Sequence, residues 1–276
     1  MQSGSVSPNQ EKLPLVTTDR PVLDIYDFVS GLSVLENVRG FEIGTIVNPA
    51  KLPPEIKADL VDELNWLGRD RDDMAQHLVN VDETVIAFRD RQPVAFASID
   101  ELSYVHSDAR GRKHDAMITP LVGTAVLPKY QRQGLHVRLN YGLLVKRWLR
   151  YKFTAGLFQP FRVGTRTRSR IVITTFFRHF QDVKYRDLRP GEREAREVMA
   201  KYFNCAVDEN GLVRNAYEKT IGHEENGRFM PRPANRVDQA LEGLGENDAR
   251  IFIGKITAGG FVKNVAANWL RKIFRF

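Results

Sequence analysis

The sequence predicts a mixed α/β domain, a central twisted sheet flanked by helices, and three observations carry that prediction. Residues 41–47 alternate apolar and smaller side chains and stop at Asn48-Pro49, a period-two strand closed by a turn. Residues 84–88 and 94–99 are short apolar runs joined by polar residues 89–93, the pattern of a β-hairpin. Apolar residues also recur at helical spacing, first at Ile56, Leu60, Val61, Leu64 and Leu67, then at Val137, Tyr141, Leu144, Val145 and Trp148.

In chain order, residues 1–36 read as an N-terminal arm. The first dozen are Ser-, Gln- and Pro-rich without periodicity, whereas 21–36 are apolar enough to dock on the body. After the strand at 41–47, Pro53-Pro54 opens a helix, since proline suits a first helical turn, and a second short helix follows over 70–79. The second arm of the hairpin, rich in Ala and Ser, reads as a tightly packed inner strand. A polar loop over 107–115 leads to a strand over 117–126, a helix over 135–150 and a strand over 153–158. Residues 165–180 carry two patterns. Ser169, Val172, Ile173, Phe176, Phe177 and Phe180 form a helical stripe, while the β-branched run 171–175 suits a strand; the longer stripe favours helix. Residues 37–190 are therefore expected to form one domain. Residues 191–276 read as a C-terminal extension, mostly polar, with a helix over 192–202 and an amphipathic basic helix over 261–276.

Composition narrows the class. With 42% apolar and 10% aromatic residues the chain has enough to build a core, so disorder is not expected. Cys205 is the only cysteine, which excludes an intrachain disulfide and a zinc site made of cysteines alone. No metal is implied. No apolar run reaches the roughly 18 residues that span a bilayer, and the N-terminus lacks a signal-peptide pattern, so a cytoplasmic address is expected. The net charge of +7 hides an asymmetry: residues 126–186 hold 14 Lys and Arg against one acid, Asp182, and the remainder holds 27 basic and 33 acidic residues. Such a field meets phosphates, an acidic partner protein or an anionic membrane, or is a solvated face. Nucleic acid is not expected, because no recognised binding motif accompanies the charge. In 261–276, Val262, Val265, Ala266, Trp269, Leu270, Ile273 and Phe276 share one helical face and the cations lie off it. Peripheral membrane contact, a partner groove and packing on the protein's own core all stay open for that helix.

The segment that carries chemistry is 123–140: a strand, a tight turn opened by Pro128, and a helix beginning near Gly134. The first amides of a helix lack intrahelical partners and sit at the positive end of its dipole, so backbone N–H groups over 131–136 can converge on a phosphate. Gly134 permits close approach, and Lys129 and Arg132 add charge. This segment resembles the signature of the GNAT acyltransferase superfamily, Val-x-Pro-x-x-Gln/Arg-x-x-Gly-x-Gly/Ala, in the form Val126-Leu-Pro128-Lys-Tyr-Gln131-Arg-Gln-Gly134-Leu-His136. Four of the five defined positions match, and the order of elements before it matches as well. The resemblance covers about residues 39–186.

The resemblance implies a GNAT-like sheet split between its fourth and fifth strands to receive a pantetheine arm. It implies a co-substrate, either a coenzyme A thioester (acyl-CoA) or the phosphopantetheine thioester of an acyl carrier protein, whose phosphates sit on Val126, Gln131, Arg132, Gln133, Gly134, Leu135 and His136. An amine-bearing acceptor arrives from the other side. Three departures qualify this. His136 stands where the family has Gly or Ala; the family's fifth-strand Glu falls on Gln159; and its thiolate-protonating Tyr falls on Phe177. Glu101 is then the candidate base and His179 the candidate acid. The expectation is an N-acyltransferase, with a catalytically silent GNAT-fold module that binds acyl-CoA or a partner protein as the alternative.

Overall fold

The protein is described by a computed structural model over residues 23–66, 68, 70–108, 110–156, 161–217, 235–257 and 259. The helix expected at 261–276 and Gln159 lie outside the described residues.

Asp24 caps α1 (Ile25–Leu32) by accepting the Asp27 amide at 3.1 Å. This helix is the docked end of the expected arm: a Cβ on Gly44 would stand 2.3 Å from Val29, so only glycine lets α1 lie this close to the sheet. After β1 (Glu36–Val38) and β2 (Phe41–Val47) come α2 (Pro54–Leu64) and α3 (Arg71–Leu78). Pro54 opens α2, and the Asp70 carboxylate caps α3 by accepting the amides of Asp72 and Asp73. The hairpin of β3 (Glu83–Arg89) and β4 (Gln92–Ile99) turns on Asp90 and Arg91, both at positive φ, which matches the twist of the flanking strands.

A second hairpin follows that sequence reading missed. β5 (Leu102–Ser107) pairs with β6 (Lys113–Val126) from Leu102↔Ile118 to Ser107↔Lys113. The polar stretch expected as a loop over 107–115 thus shortens to its centre. Its strand residues carry polar side chains because they lie at a sheet edge, where burial does not impose an apolar pattern.

A second correction concerns α4 (Leu135–Ala155), which runs past residue 150 and absorbs the start of the strand expected at 153–158. Tyr151 is buried with its ring 5.6 Å from Phe161, Phe153 points outward, and Gly156 at φ 99° ends the helix. The strand is instead β7 (Phe161–Thr167). The favoured helix follows as α5 (Arg170–His179), capped by Ser169 and burying Ile173 and Phe176. Beyond it lie β8 (Gln181–Lys184), α6 (Pro190–Tyr202), β9 (Leu212–Val213), α7 (Asn235–Leu241) and β10 (Ala249–Ile256).

The sheet order is β1-β2-β3-β4-β6-β7-β10-β8, with β5 added to β6 and β9 to β10. Among these pairs only β6–β7 is parallel. β10 lies between β7 and β8, so residues read as a polar extension supply an inner strand. Its sequence lacks alternation because both faces are covered: Phe252 packs on the α5 side while Ile251 and Ile253 pack with α6. Helices α1–α3 and α6 cover one face, and α4, α5 and α7 the other.

Candidate functional site

The sheet opens at one place. β6 and β7 pair only from Ile118↔Arg162 to Leu121↔Thr165, although β6 continues to Val126 and β7 to Thr167. The cause is on the other edge of β6. β4 pairs Ile99 with Leu121 and Ser98 with Gly123, skipping Val122, and such a bulge bends the strand that carries it. Two strand edges consequently face each other across a cavity of about 150 Å³. The cavity crosses the sheet: Met74, His77, Phe203 and Tyr217 line it on the α3/α6 face, and His136, Asn140 and Val172 on the α4/α5 face.

At the end of β6, Leu127 donates to the Val94 carbonyl at 2.9 Å and a short 3-10 turn, Pro128–Tyr130, follows. Gln131 returns its side-chain amide to the Val126 carbonyl at 3.2 Å, closing the turn. Arg132 (φ 66°) and Gly134 (φ 77°) both take left-handed backbone, which points successive amides to one side. Gly134 is the N-cap of α4 and supplies no side-chain cap; the helix bonding begins with the Arg138 amide on the Gly134 carbonyl at 3.1 Å. Residues Gln131, Arg132, Gln133 and Gly134 are exposed, Leu135 is buried in the core, and Val126 is half-buried at the strand end. The turn therefore presents an uncapped helix N-terminus in a basic setting, an anion cradle. Leu135 anchors it from below.

His136 lies elsewhere than its sequence position suggested. Its ring lines the cleft beneath the turn, with Nδ1 buried and without a hydrogen-bond partner. Burial, reinforced by the positive field of His179, pushes it down to about 4, so the imidazole is neutral at neutral pH. Asn140, one turn on, donates to Thr124 Oγ1 at 3.0 Å and to the His136 carbonyl at 2.8 Å, tying α4 to β6 at the cleft wall.

On the opposite face, α3 ends against the bulge. A Cβ on Gly123 would meet the His77 Cβ at 3.0 Å and its carbonyl at 3.1 Å, so glycine brings His77 against β6. His77 is 9% exposed; its Nε2 lies 3.4 Å from Asp73 Oδ1, while its buried Nδ1 has no partner. An Nε2–H directed to Asp73 would leave Nδ1 as the acceptor of the ring. Nothing in the local sequence singled out His77, because its role depends on contact with a strand 46 residues on.

The two residues read as base and acid do not line the cavity. Glu101 Oε2 accepts from Arg147 Nη1 at 2.5 Å, and Arg147 also pairs with Glu83 at 3.1 Å, an ion cluster beneath α4. His179, at the end of α5, packs on the Tyr141 ring at 6.0 Å behind His136. Phe177 contacts Phe252 in the core at 6.1 Å. Asp100 has the more perturbed carboxyl: burial, and then its hydrogen bond to Asp82, push it up to about 7. It stands beside Tyr202, whose ring packs on the cavity-lining Phe203 at 5.1 Å.

The basic stretch is partly consumed inside the fold. Arg147 pairs with Glu83 and Glu101, Arg170 with Asp238, Lys184 with Glu192, and Arg162 donates to the Tyr104 hydroxyl. All of these acids lie outside residues 126–186. Among the described residues there is no cluster of three or more His, Cys, Asp or Glu suited to a metal, and no helix long and apolar enough to cross a membrane.

No family model matches the chain, and no curated protein matches it in sequence. Solved structures resemble it in fold. One is a GNAT family acetyltransferase from Elizabethkingia anophelis with acetyl-CoA bound, at 13% identity over 79% of this chain and 100% of that one, with a TM-score of 0.34. Another is an IAA acetyltransferase from Bacillus cereus ATCC 14579, at 11% identity over 78% and 99%, with a TM-score of 0.33. The match to a mutant AtaT toxin is shorter, 12% identity over 35% of this chain and 57% of that one, with a TM-score of 0.29. The GNAT-like character of this fold is visible in its own topology. A strand, a turn into a helix, and a next strand that parts from the first at one end occur in the order the resemblance implied.

Proposed function

We propose that the protein is an N-acyltransferase that moves an acyl group from a coenzyme A thioester to an amine. The observation that carries this reading is the continuity of two features, an anion cradle at 131–135 and the open edge of β6 that runs from it into the sheet. A pantetheine arm joins phosphates to a thioester through two amides. An extended, amide-bearing ligand is what an unpaired strand edge accepts, by adding backbone hydrogen bonds along one side. With the phosphates at Gly134, the arm runs beside 126–122 and delivers the thioester near Val122, where the bulge interrupts the ladder. A phosphopantetheine thioester of an acyl carrier protein has the same arm and is the second donor. The internal pairing of Arg147, Arg162, Arg170 and Lys184 leaves less basic surface for such a carrier and favours free acyl-CoA.

The acceptor enters from the α3/α6 face. There the amine nitrogen attacks the thioester carbonyl; a C–N bond forms, the C–S bond breaks, and the proton lost by the amine ends on the thiol. His77 Nδ1 is the base in this reading, held by Asp73 through Nε2. His136, neutral and half-buried, acts as a wall of the cleft and not as a phosphate ligand. The reading puts catalysis outside the family's commonest positions, so Phe177 no longer favours a silent module. Incubation with acetyl-CoA and longer acyl-CoAs over a panel of primary amines, followed by release of free thiol, tests it. Amine-dependent thiol release supports the proposal. Tight acyl-CoA binding with no release across the panel favours the silent module.

A further inference from the structure

Among the described residues, Arg166 is the one Lys or Arg of the basic stretch found lining the cleft wall. On β7 the even residues face α6: Arg162 reaches Tyr104, and a Cβ on Gly164 would press on Met199. Arg166 is the next residue outward on that face, beyond the last β6–β7 pair. Its guanidinium lies 4.5 Å from the Phe203 ring and 5.8 Å from the Tyr217 ring, held between aromatic faces. The half-buried Cys205 beside it is a thiol whose pKa burial pushes up, so it stays uncharged and neutralises nothing. Among the described residues no carboxylate pairs with Arg166. The contrast with Arg147 and Arg170 is direct, since both of those hold acids.

A guanidinium fixed by stacking keeps its planar fork of N–H donors in one orientation, which suits bidentate capture of a carboxylate or phosphate. Across the same cavity, on the same face, stands His77 with an unpartnered Nδ1. The coenzyme phosphates are assigned to the turn before α4, so Arg166 is not needed for them. We propose that Arg166 is an anion-reading residue of the acceptor site, and that the acceptor is an amine that also carries a carboxylate or phosphate. This inference rests on the acyltransferase reading for its assignment of the two faces. The amine lies toward His77 and the anion at Arg166; Met74, Phe96, Phe203 and Tyr217 supply the apolar surface around them.

The test uses the full chain saturated with coenzyme A, titrated in a calorimeter with phenylalanine and leucine and with the α-amides of both. The acids should bind at least tenfold more tightly than the amides, since a charge-assisted pair in a partly buried site is worth about that ratio or more. Arg166→Gln should abolish the difference, and Arg166→Lys should keep part of it. Coenzyme A affinity should be unchanged in both variants, which also shows that the fold survives. Equal binding of acid and amide, binding of neither, or a preference that persists in Arg166→Gln overturns the inference. So does loss of coenzyme A affinity in Arg166→Gln, which would assign the arginine to the donor. The same probes with acetyl-CoA separate the two readings: Arg166-dependent binding of the acids without thiol release leaves the anion site standing and removes the acyltransferase reading.

Discussion

The two mouths of the cleft are built by different means. The mouth on the α4 side is local: Val126 to Leu135 is ten consecutive residues, and its strand end, 3-10 turn and left-handed glycine are all written in adjacent positions. The mouth on the α3/α6 side is assembled from His77, Gly123, Arg166, Phe203 and Tyr217, which meet only after the sheet forms. The difference teaches that the proposed phosphate cradle depends mainly on backbone geometry, which short motifs specify, whereas the proposed acceptor site depends on side chains brought from separate elements. It also predicts which perturbations each mouth tolerates.

The largest expected effect tests the non-local mouth. His77→Gln keeps the size and polarity of the side chain but removes a titratable base, and should lower kcat by about 10²–10⁴-fold while the acyl-CoA dissociation constant stays within about twofold. A change confined to donor affinity would assign His77 to the donor mouth and not to the acceptor mouth. For the local mouth, Gly134→Val should weaken coenzyme A binding by about tenfold or more in calorimetry. A branched residue resists φ 77° and puts a side chain where the phosphate approaches, while the nearest protein atom, Arg138 Nε, is 3.9 Å from the new Cβ, so no clash with the protein itself is expected.

The acid pair beside the non-local mouth gives a pH signature. The Asp100 carboxyl sits above its ordinary value, so the native state binds a proton that the unfolded chain has released. Its stabilising contribution is complete below about pH 4 and is lost as pH rises through about 7. Asp100→Asn should therefore flatten the decline in thermal stability between pH 5 and 8 and raise stability at pH 8 by about 1–3 kcal/mol. An unchanged pH profile in that variant would contradict the raised Asp100 carboxyl. The smallest effect on activity is expected from Glu101→Gln. Its carboxylate serves Arg147, and Glu83 remains as a partner, so stability should fall by about 1–2 kcal/mol with kcat within about twofold of the parent. A hundredfold loss of kcat would restore Glu101 as the base.

Much of the fold was legible because local signals were strong. Asp70 before α3, Pro54 in α2 and the polar turn between β3 and β4 each act within a few residues. What sequence reading missed follows one pattern. β10 lacks alternation because both of its faces are buried, whereas β5 alternates in burial, Tyr104 inward and Ser103 and Val105 outward, but an exposed valine and a half-buried histidine blur the pattern in its sequence. α4 outran its expected end because Tyr151 and Lys152 bury their side chains, and because Gly156, not the earlier Arg150, stops the helix. That shift moved the fifth strand of the domain from 153–158 to Phe161–Thr167, and with it the basis for reading Gln159 as a replaced catalytic residue. The proposed base differs from the expected Glu101 because of contacts that form only in the fold. Glu101 has a suitable side chain near a strand end, but it lies two residues past β4 and pairs with Arg147 of α4, while Ser98 within the strand faces His77.

Amide hydrogen exchange with and without coenzyme A tests the central claim most directly, because the claim concerns backbone groups along one strand edge and one helix start. Coenzyme A should slow exchange at amides within 122–126 and 131–137 together, and leave the edge strand Glu36–Val38 unchanged. Protection at 131–137 alone would reduce the site to an anion cradle without a pantetheine channel. Protection elsewhere, with both segments unchanged, would contradict the account.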